Sequence, residues 1–162
     1  MANSPLDDLF LDTLKDIYYA EKQILKALPK MAEVAQSDAL RAGLKDHRDQ
    51  TEGHVARLER IFEMLEKPAR GKTCEAILGI VDEGNEIMTE FKGTGALDAG
   101  LISSAQAVEH YEIARYGTLK TWATQLGRTE AADLLNATLE EEIATDQKLT
   151  QLAESEVNPK AA

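Results

Sequence analysis

Apolar side chains recur along this chain at steps of three and four, the spacing that keeps them on one face of an α-helix. The first stripe reads Phe10, Leu14, Ile17, Glu21, Ile24, Leu28, Met31. The second reads Leu40, Leu44, His47, Gln50, His54, Leu58, Ile61, Leu65. A shorter one holds Ile77, Ile80, Val81, Ile87 and Met88. The next reads Ile102, Ala105, Glu109, Glu112, Tyr116, Leu119, Ala123, Leu126, and the last Leu135, Leu139, Glu142, Asp146, Leu149, Ala153. The stripes predict five helices: α1 over about 6–36, α2 over about 38–66, α3 over about 73–91, α4 over about 97–126 and α5 over about 129–156.

Local signals mark the ends. Ser37 or Asp38 is expected to cap α2, Thr129 to cap α5 and Gly127 to close α4. Lys67-Pro68-Ala69-Arg70-Gly71 and Lys92-Gly93-Thr94-Gly95 interrupt the periodicity on either side of α3. Pro29 lies inside α1, where it removes one donor and is expected to kink the helix. The tail Asn158–Ala162 is expected to fray.

The connections fix a topology. The α1–α2 and α4–α5 turns are tight, so each pair is an antiparallel hairpin. A helix of about 28 residues spans about 42 Å, and the long α2–α4 connection, with α3 inside it, suits a return across that length. The prediction is therefore all-α: a ferritin-like four-helix bundle with an additional short helix in the α2–α4 crossover, one domain over residues 1–162. Helix α3 should pack across the bundle, and Trp122 should be largely buried. The hairpins also repeat each other faintly: Glu21 falls on Glu112, Gln50 on Glu142 and His54 on Asp146.

The four long stripes share one peculiarity. Each is broken near mid-length by residue types that bind metals: Glu21 on α1; His47, Gln50 and His54 on α2; Glu109 and Glu112 on α4; Glu142 and Asp146 on α5. Carboxylates are seldom buried without a partner or a cation. Any one of these residues alone reads as an edge residue, an ion-pair partner or a hydrogen-bonded core histidine. Together, at matching heights on four helices, they point to a cation in the bundle core. Oxygen-rich donors with some imidazole suit iron or manganese better than zinc. The charge of two divalent ions nearly balances Glu21, Glu109, Glu112, Glu142 and Asp146. Gln50 stands where the repeat supplies Glu142, and a neutral amide bridges two metals poorly. A second metal position would then be weaker, or filled through His54 or His47. His110 points off its stripe and reads as surface, and Tyr18 and Tyr116 lie within a turn of the candidate ligands.

Composition narrows the functions. The net charge of −11 argues against nucleic acid or anionic lipid as a partner. No apolar run reaches the roughly 18 residues of a membrane helix. Residues Met1–Asp8 lack the basic and apolar regions of a signal peptide, and Cys74 is the single cysteine. A cytoplasmic location is expected.

Three segments carry a resemblance: Asp16-Ile17-Tyr18-Tyr19-Ala20-Glu21-Lys22-Gln23, Val108-Glu109-His110-Tyr111-Glu112-Ile113-Ala114, and Leu139-Glu140-Glu141-Glu142 followed by Ala144-Thr145-Asp146. With their spacing, over essentially the whole chain, they resemble the YciE/YciF family of ferritin-like bacterial stress proteins. The resemblance implies a five-helix ferritin-like fold, a homodimer, a di-iron centre and a link to stress responses. The implied ligands are Glu21, Glu109, Glu112 and Glu142, with Asp146 beside them. On α2 the family usually reads His-x-x-Glu-Thr, where this chain has His47-Arg48-Asp49-Gln50-Thr51. His54 stands where relatives often carry Gln, which suggests an exchange within one helix face. Two functions follow as expectations. One is a di-iron or di-manganese protein that oxidises ferrous ion or consumes peroxide. The other is a non-enzymatic structural or interaction protein of stressed cells with a vestigial or stabilising metal site.

Overall fold

A computed structural model describes residues 4–162; the first three residues of the Met1–Asp8 segment lie outside it. Among the described residues the helices are α1 (Pro5–Val34), α2 (Asp38–Met64), α3 (Glu75–Glu90), α4 (Leu97–Gln125) and α5 (Thr129–Leu152). Helix α5 continues through a π-helical turn, Ala153–Val157, into α6 (Asn158–Ala161). The tail expected to fray is thus helical, with Val157 buried against the core.

The caps explain the boundaries. Ser4 and Asp7 form a reciprocal box at the start of α1, and the Ser37 hydroxyl accepts from the Leu40 amide at 3.2 Å. Thr129 does not cap α5: Arg128 holds that position without a side-chain bond, and Thr129 is the first helical residue. Gly127 closes α4 at φ 70°, and Arg128 N–H returns to the Ala123 carbonyl at 2.8 Å. Helix α2 ends on the same wrap, Lys67 N–H to the Phe62 carbonyl at 3.0 Å, but with Glu66 at φ 54° in place of glycine. Helix α1 runs through Pro29, which leaves the Leu25 carbonyl without its ordinary donor.

The long helices pack in the order α1, α2, α5, α4 around the bundle, each antiparallel to its neighbours. Side-chain contacts fix the directions. Asp7 near the start of α1 meets Arg128 beyond the end of α4 at 2.8 Å. At the opposite end the Asp98 carboxylate accepts from the Gln36 and Ser37 amides at 2.8 and 2.7 Å. It clamps the α1–α2 turn to the first turn of α4. Helices α2 and α4 therefore lie diagonally and run parallel, as the long connection requires. Helix α3 packs outside, on α4 and α1. Only Ile77 of its apolar set is fully buried; Ile80, Val81, Ile87 and Met88 are half-buried. Trp122 also packs half-buried on the core rather than inside it. The core proper is a column of aliphatic side chains with Phe10, Phe62 and Tyr116. At mid-height that column gives way to polar groups.

Candidate metal centre

The bundle brings together six of the eight candidate residues. Glu21 from α1, His47 and His54 from α2, Glu109 and Glu112 from α4, and Glu142 from α5 are each no more than 4% exposed. The helical repeat produces this. His47 and His54 are two turns apart and share a face, as Glu109 and Glu112 do at one turn. The donor atoms fall into two overlapping groups, each within 4.8 Å of one another. One group is Glu21, His54, Glu112 and Glu142; the other is His47, Glu109, Glu112 and Glu142. Glu112 and Glu142 are common to both, and a carboxylate with two oxygens can serve two cations at once.

The electrostatics are those of a site without internal balance. His47 Nε2 lies 2.6 Å from Glu109 Oε1, and His54 Nδ1 lies 2.8 Å from Glu142 Oε1. Neither nitrogen has hydrogen-bonding geometry, and both are buried without a partner. Glu21 Oε2, Glu109 Oε2 and both oxygens of Glu112 and of Glu142 are equally unpartnered. Buried polar atoms are ordinarily satisfied, so eight orphans around one point mark a place for a bound group. A pair of divalent cations fits: four carboxylates match their charge, and the mixed oxygen and imidazole donors suit first-row metals.

Without cations the acids crowd one another. Burial pushes the Glu112 carboxyl well above the ordinary range, and the charges of Glu142 and Glu21 add to it. Burial raises Glu109 likewise, reinforced by Glu142. Burial would raise Glu142 too, but the neighbouring Glu109 carboxyl and the His54 and His47 rings outweigh it and hold its carboxyl at about 2. The same acids lift His54 to about 10 against the effect of burial. Proton sharing thus replaces the missing positive charge.

The two halves of the cluster are built differently. His54 Nε2 meets Glu141 Oε2 at 2.8 Å, and Arg57 donates to the other oxygen of Glu141 at 2.7 Å. This turns Nδ1 inward toward Glu142 and Glu21. Arg57 and His54 outweigh burial and keep Glu141 ionised, below the usual carboxylate range. The Tyr116 hydroxyl, fully buried, donates to Glu21 Oε1 at 2.8 Å. On the other half, His47 Nδ1 faces only the Thr145 hydroxyl at 3.5 Å. There a cleft of about 420 Å³ between α2 and α5 reaches down to His47 and Glu109.

Gln50 and Asp146 lie outside the cluster. Gln50 is exposed, its amide oxygen 3.4 Å from the Thr145 hydroxyl. At 3.6 residues per turn it sits about 60° around α2 from His47, on the α5 side of the stripe. Asp146 takes hydrogen bonds from Gln106 at 3.2 Å and from His110 at 3.2 Å. The repeat that aligned Gln50 with Glu142 and His54 with Asp146 is therefore not kept at the site: Glu142 and His54 lie in it, their counterparts outside. Neither the Glu141–His54 contact nor the Tyr116–Glu21 contact is legible in the sequence. An Arg57–Glu141 pairing between helices leaves no periodic trace.

Comparison with known proteins agrees with this architecture. The family described as a domain of unknown function, DUF892, matches residues 5–162. The chain belongs to the DUF892 family. Protein YciF of Escherichia coli (strain K12) is 43% identical over 157 residues, 96% of this chain and 95% of that one. The crystal structure of YciF, described as an E. coli stress protein, superposes with a TM-score of 0.91 at 42% identity, covering 96% of this chain and 99% of that one. YcfI of Rhodopseudomonas palustris superposes with a TM-score of 0.88 at 45% identity, covering 91% and 94%. The DUF892 match spans all the long helices, and with them every residue of the buried cluster.

Proposed function

We propose that this chain is a stress-associated, ferritin-like protein that holds two iron ions, or two manganese ions, in its bundle core. The observation that carries the reading is the pair of overlapping donor groups with Glu112 and Glu142 in common, ringed by unpartnered buried atoms. Glu21 and His54 would hold one ion, His47 and Glu109 the other, and Glu112 and Glu142 would bridge them. When bound, a ferrous pair would supply two electrons for the reduction of dioxygen or peroxide and would itself be oxidised to ferric ion. The chain's own residues do the rest. Tyr116 fixes the orientation of Glu21, and Glu141 fixes the ring of His54. The closed Glu21/His54 half keeps water out, while the cleft beside His47 admits a reactant. The link to stress rests on similarity to YciF, described as a stress protein.

The test is turnover. Iron-loaded protein should consume peroxide, or oxidise added ferrous ion, faster than free iron at the same concentration. Glu112→Gln, which removes a bridging carboxylate, should reduce the rate to that of free iron. Equal rates for wild type and variant would favour the second reading, a structural protein whose core acids bind a stabilising ion.

We also propose that the protein acts as a two-fold dimer in the cytoplasm. The half-buried face of α3, with Ile80, Val81, Ile87 and Met88, offers apolar surface that the bundle does not use. Light scattering at tens of micromolar should give twice the 17.8 kDa chain mass; a monomer mass would overturn this.

A further inference from the structure

The cleft beside His47 is more than a passage for ions. Its floor is Leu40, Leu44, Ala105 and Leu149, all buried, and Leu152 adds to its wall. A hydrated cation or hydrogen peroxide gains nothing from leucine walls. A molecule with an apolar body does. At the inner end the cleft meets His47 and Glu109, and His47 Nε2 and Glu109 Oε2 are buried and unpartnered. On α2 the outer rim has the small residues Ala39, Ala42 and Gly43 at one end, which leave the groove open, and the polar Asp46 and Gln50 at the other, facing Lys148 of α5. A Cβ built on Gly43 meets nothing within 4 Å. The larger cleft of about 490 Å³ between α1 and α2 lacks this feature, since no unpartnered buried atom borders it.

We propose that this cleft is a binding site for a small molecule with an apolar body and an oxygen-bearing head, and that the class it fits is an alkyl hydroperoxide. The body lies along Leu40, Leu44, Leu149 and Leu152; the head reaches the His47/Glu109 end. The reactive consequence rests on the metal reading above. The O–O bond breaks, two electrons come from two ferrous ions and two protons from the site, and the products are an alcohol, water and two ferric ions. The binding of the apolar body rests on the cleft alone, and the place of the head rests on the metal reading, in which His47 and Glu109 are ligands.

The two are tested separately on one sample of the 162-residue chain. Cumyl alcohol, an unreactive analogue with the same apolar body as cumene hydroperoxide, is titrated at low-millimolar concentration and followed by amide NMR. Saturable shifts are expected at Gly43, Leu44, Ala105 and Leu149. Gly43→Phe places a ring in the groove from an open position and should weaken the response by about tenfold or more, as changes of pocket size do. Ala39→Phe is the parallel variant should Gly43→Phe fold poorly. No saturable shift, or the same shift in the filled variants, overturns the proposal. If the groove amides respond to protein concentration instead, a second copy covers the groove and the proposal also falls. Metal per chain on the same sample reports the metal reading independently. With iron loaded, the preference for cumene hydroperoxide over hydrogen peroxide should fall in Gly43→Phe.

Discussion

Glu141 shows how a residue outside the donor set controls one inside it. It holds His54 Nε2 at 2.8 Å and is itself held by Arg57. Glu141→Gln keeps the size but weakens the acceptor and frees the ring to turn. Loss of such a partner typically costs 10- to 100-fold in metal affinity, so a drop of about that size is expected at one of two binding steps. Calorimetric titration with manganous ion resolves it. Two unaffected steps would remove Glu141 from the account. The same residues show what periodicity can convey. Glu21, Glu109, Glu112 and Glu142 were legible because each interrupts an apolar stripe. His54 was legible as a polar core position, but its partner was not. Gln50 and Asp146 lie near the same stripes yet face α5 and α4 from the side. A turn of helix is too coarse a ruler to separate a ligand from its neighbour.

Titration carries the residue scale further. Glu109 and Glu112 are raised in the folded, metal-free protein. They retain protons that the unfolded chain loses above about pH 4.5, so their contribution to stability falls as pH rises beyond that value. His54, lifted to about 10, contributes below its ordinary 6.5 and loses the contribution as pH climbs toward 10. Glu142, held at about 2, contributes above 4.5 and loses it as pH falls toward 2. The metal-free protein should thus be most stable in mild acid. Bound cations displace those protons, so the gain in stability from metal should grow with pH. Melting curves of chelator-treated and manganese-loaded protein from about pH 4 to about pH 9 should diverge as pH rises. Parallel curves would contradict the shared-proton account.

At the scale of elements, the five main helices and the return of the chain between α2 and α4 followed from stripe length and connection length. The π-helical turn did not, because Ala153–Val157 keeps the apolar rhythm while adding one residue to the turn. Nor did the Asp98 clamp, since a capping carboxylate from a distant helix has no local signature. The α3–α4 contact was equally hidden: a Cβ on Gly100 would lie 2.5 Å from Ile87 Cγ2. Gly100→Ala should therefore push α3 outward and cost about 1–3 kcal/mol, the range for overpacking. Gly117→Ala, in the same helix with nothing within 4 Å, should gain about 0.5–1 kcal/mol. Urea denaturation of the two variants reads the difference. A destabilised Gly117→Ala with a neutral Gly100→Ala would mean that α3 does not pack where described.

For the whole molecule, four antiparallel neighbours carry a polar centre through an aliphatic column, and that centre is the costliest feature of the fold. Burial of so many acids is tolerable only with shared protons or bound cations. Among the described residues no helix is long and apolar enough to cross a membrane. The direct measurement is metal content with thermal stability, on chelator-treated chain reloaded anaerobically with ferrous or manganous ion. Two ions per chain are predicted, with a rise in melting temperature equivalent to about 2.7 kcal/mol for each ion at 100 times its Kd. Glu112→Gln and Glu142→Gln should lose both effects, and Gln50→Glu should leave the count at two. No bound metal in the wild type, or full binding in the Glu112→Gln variant, would contradict the central claim.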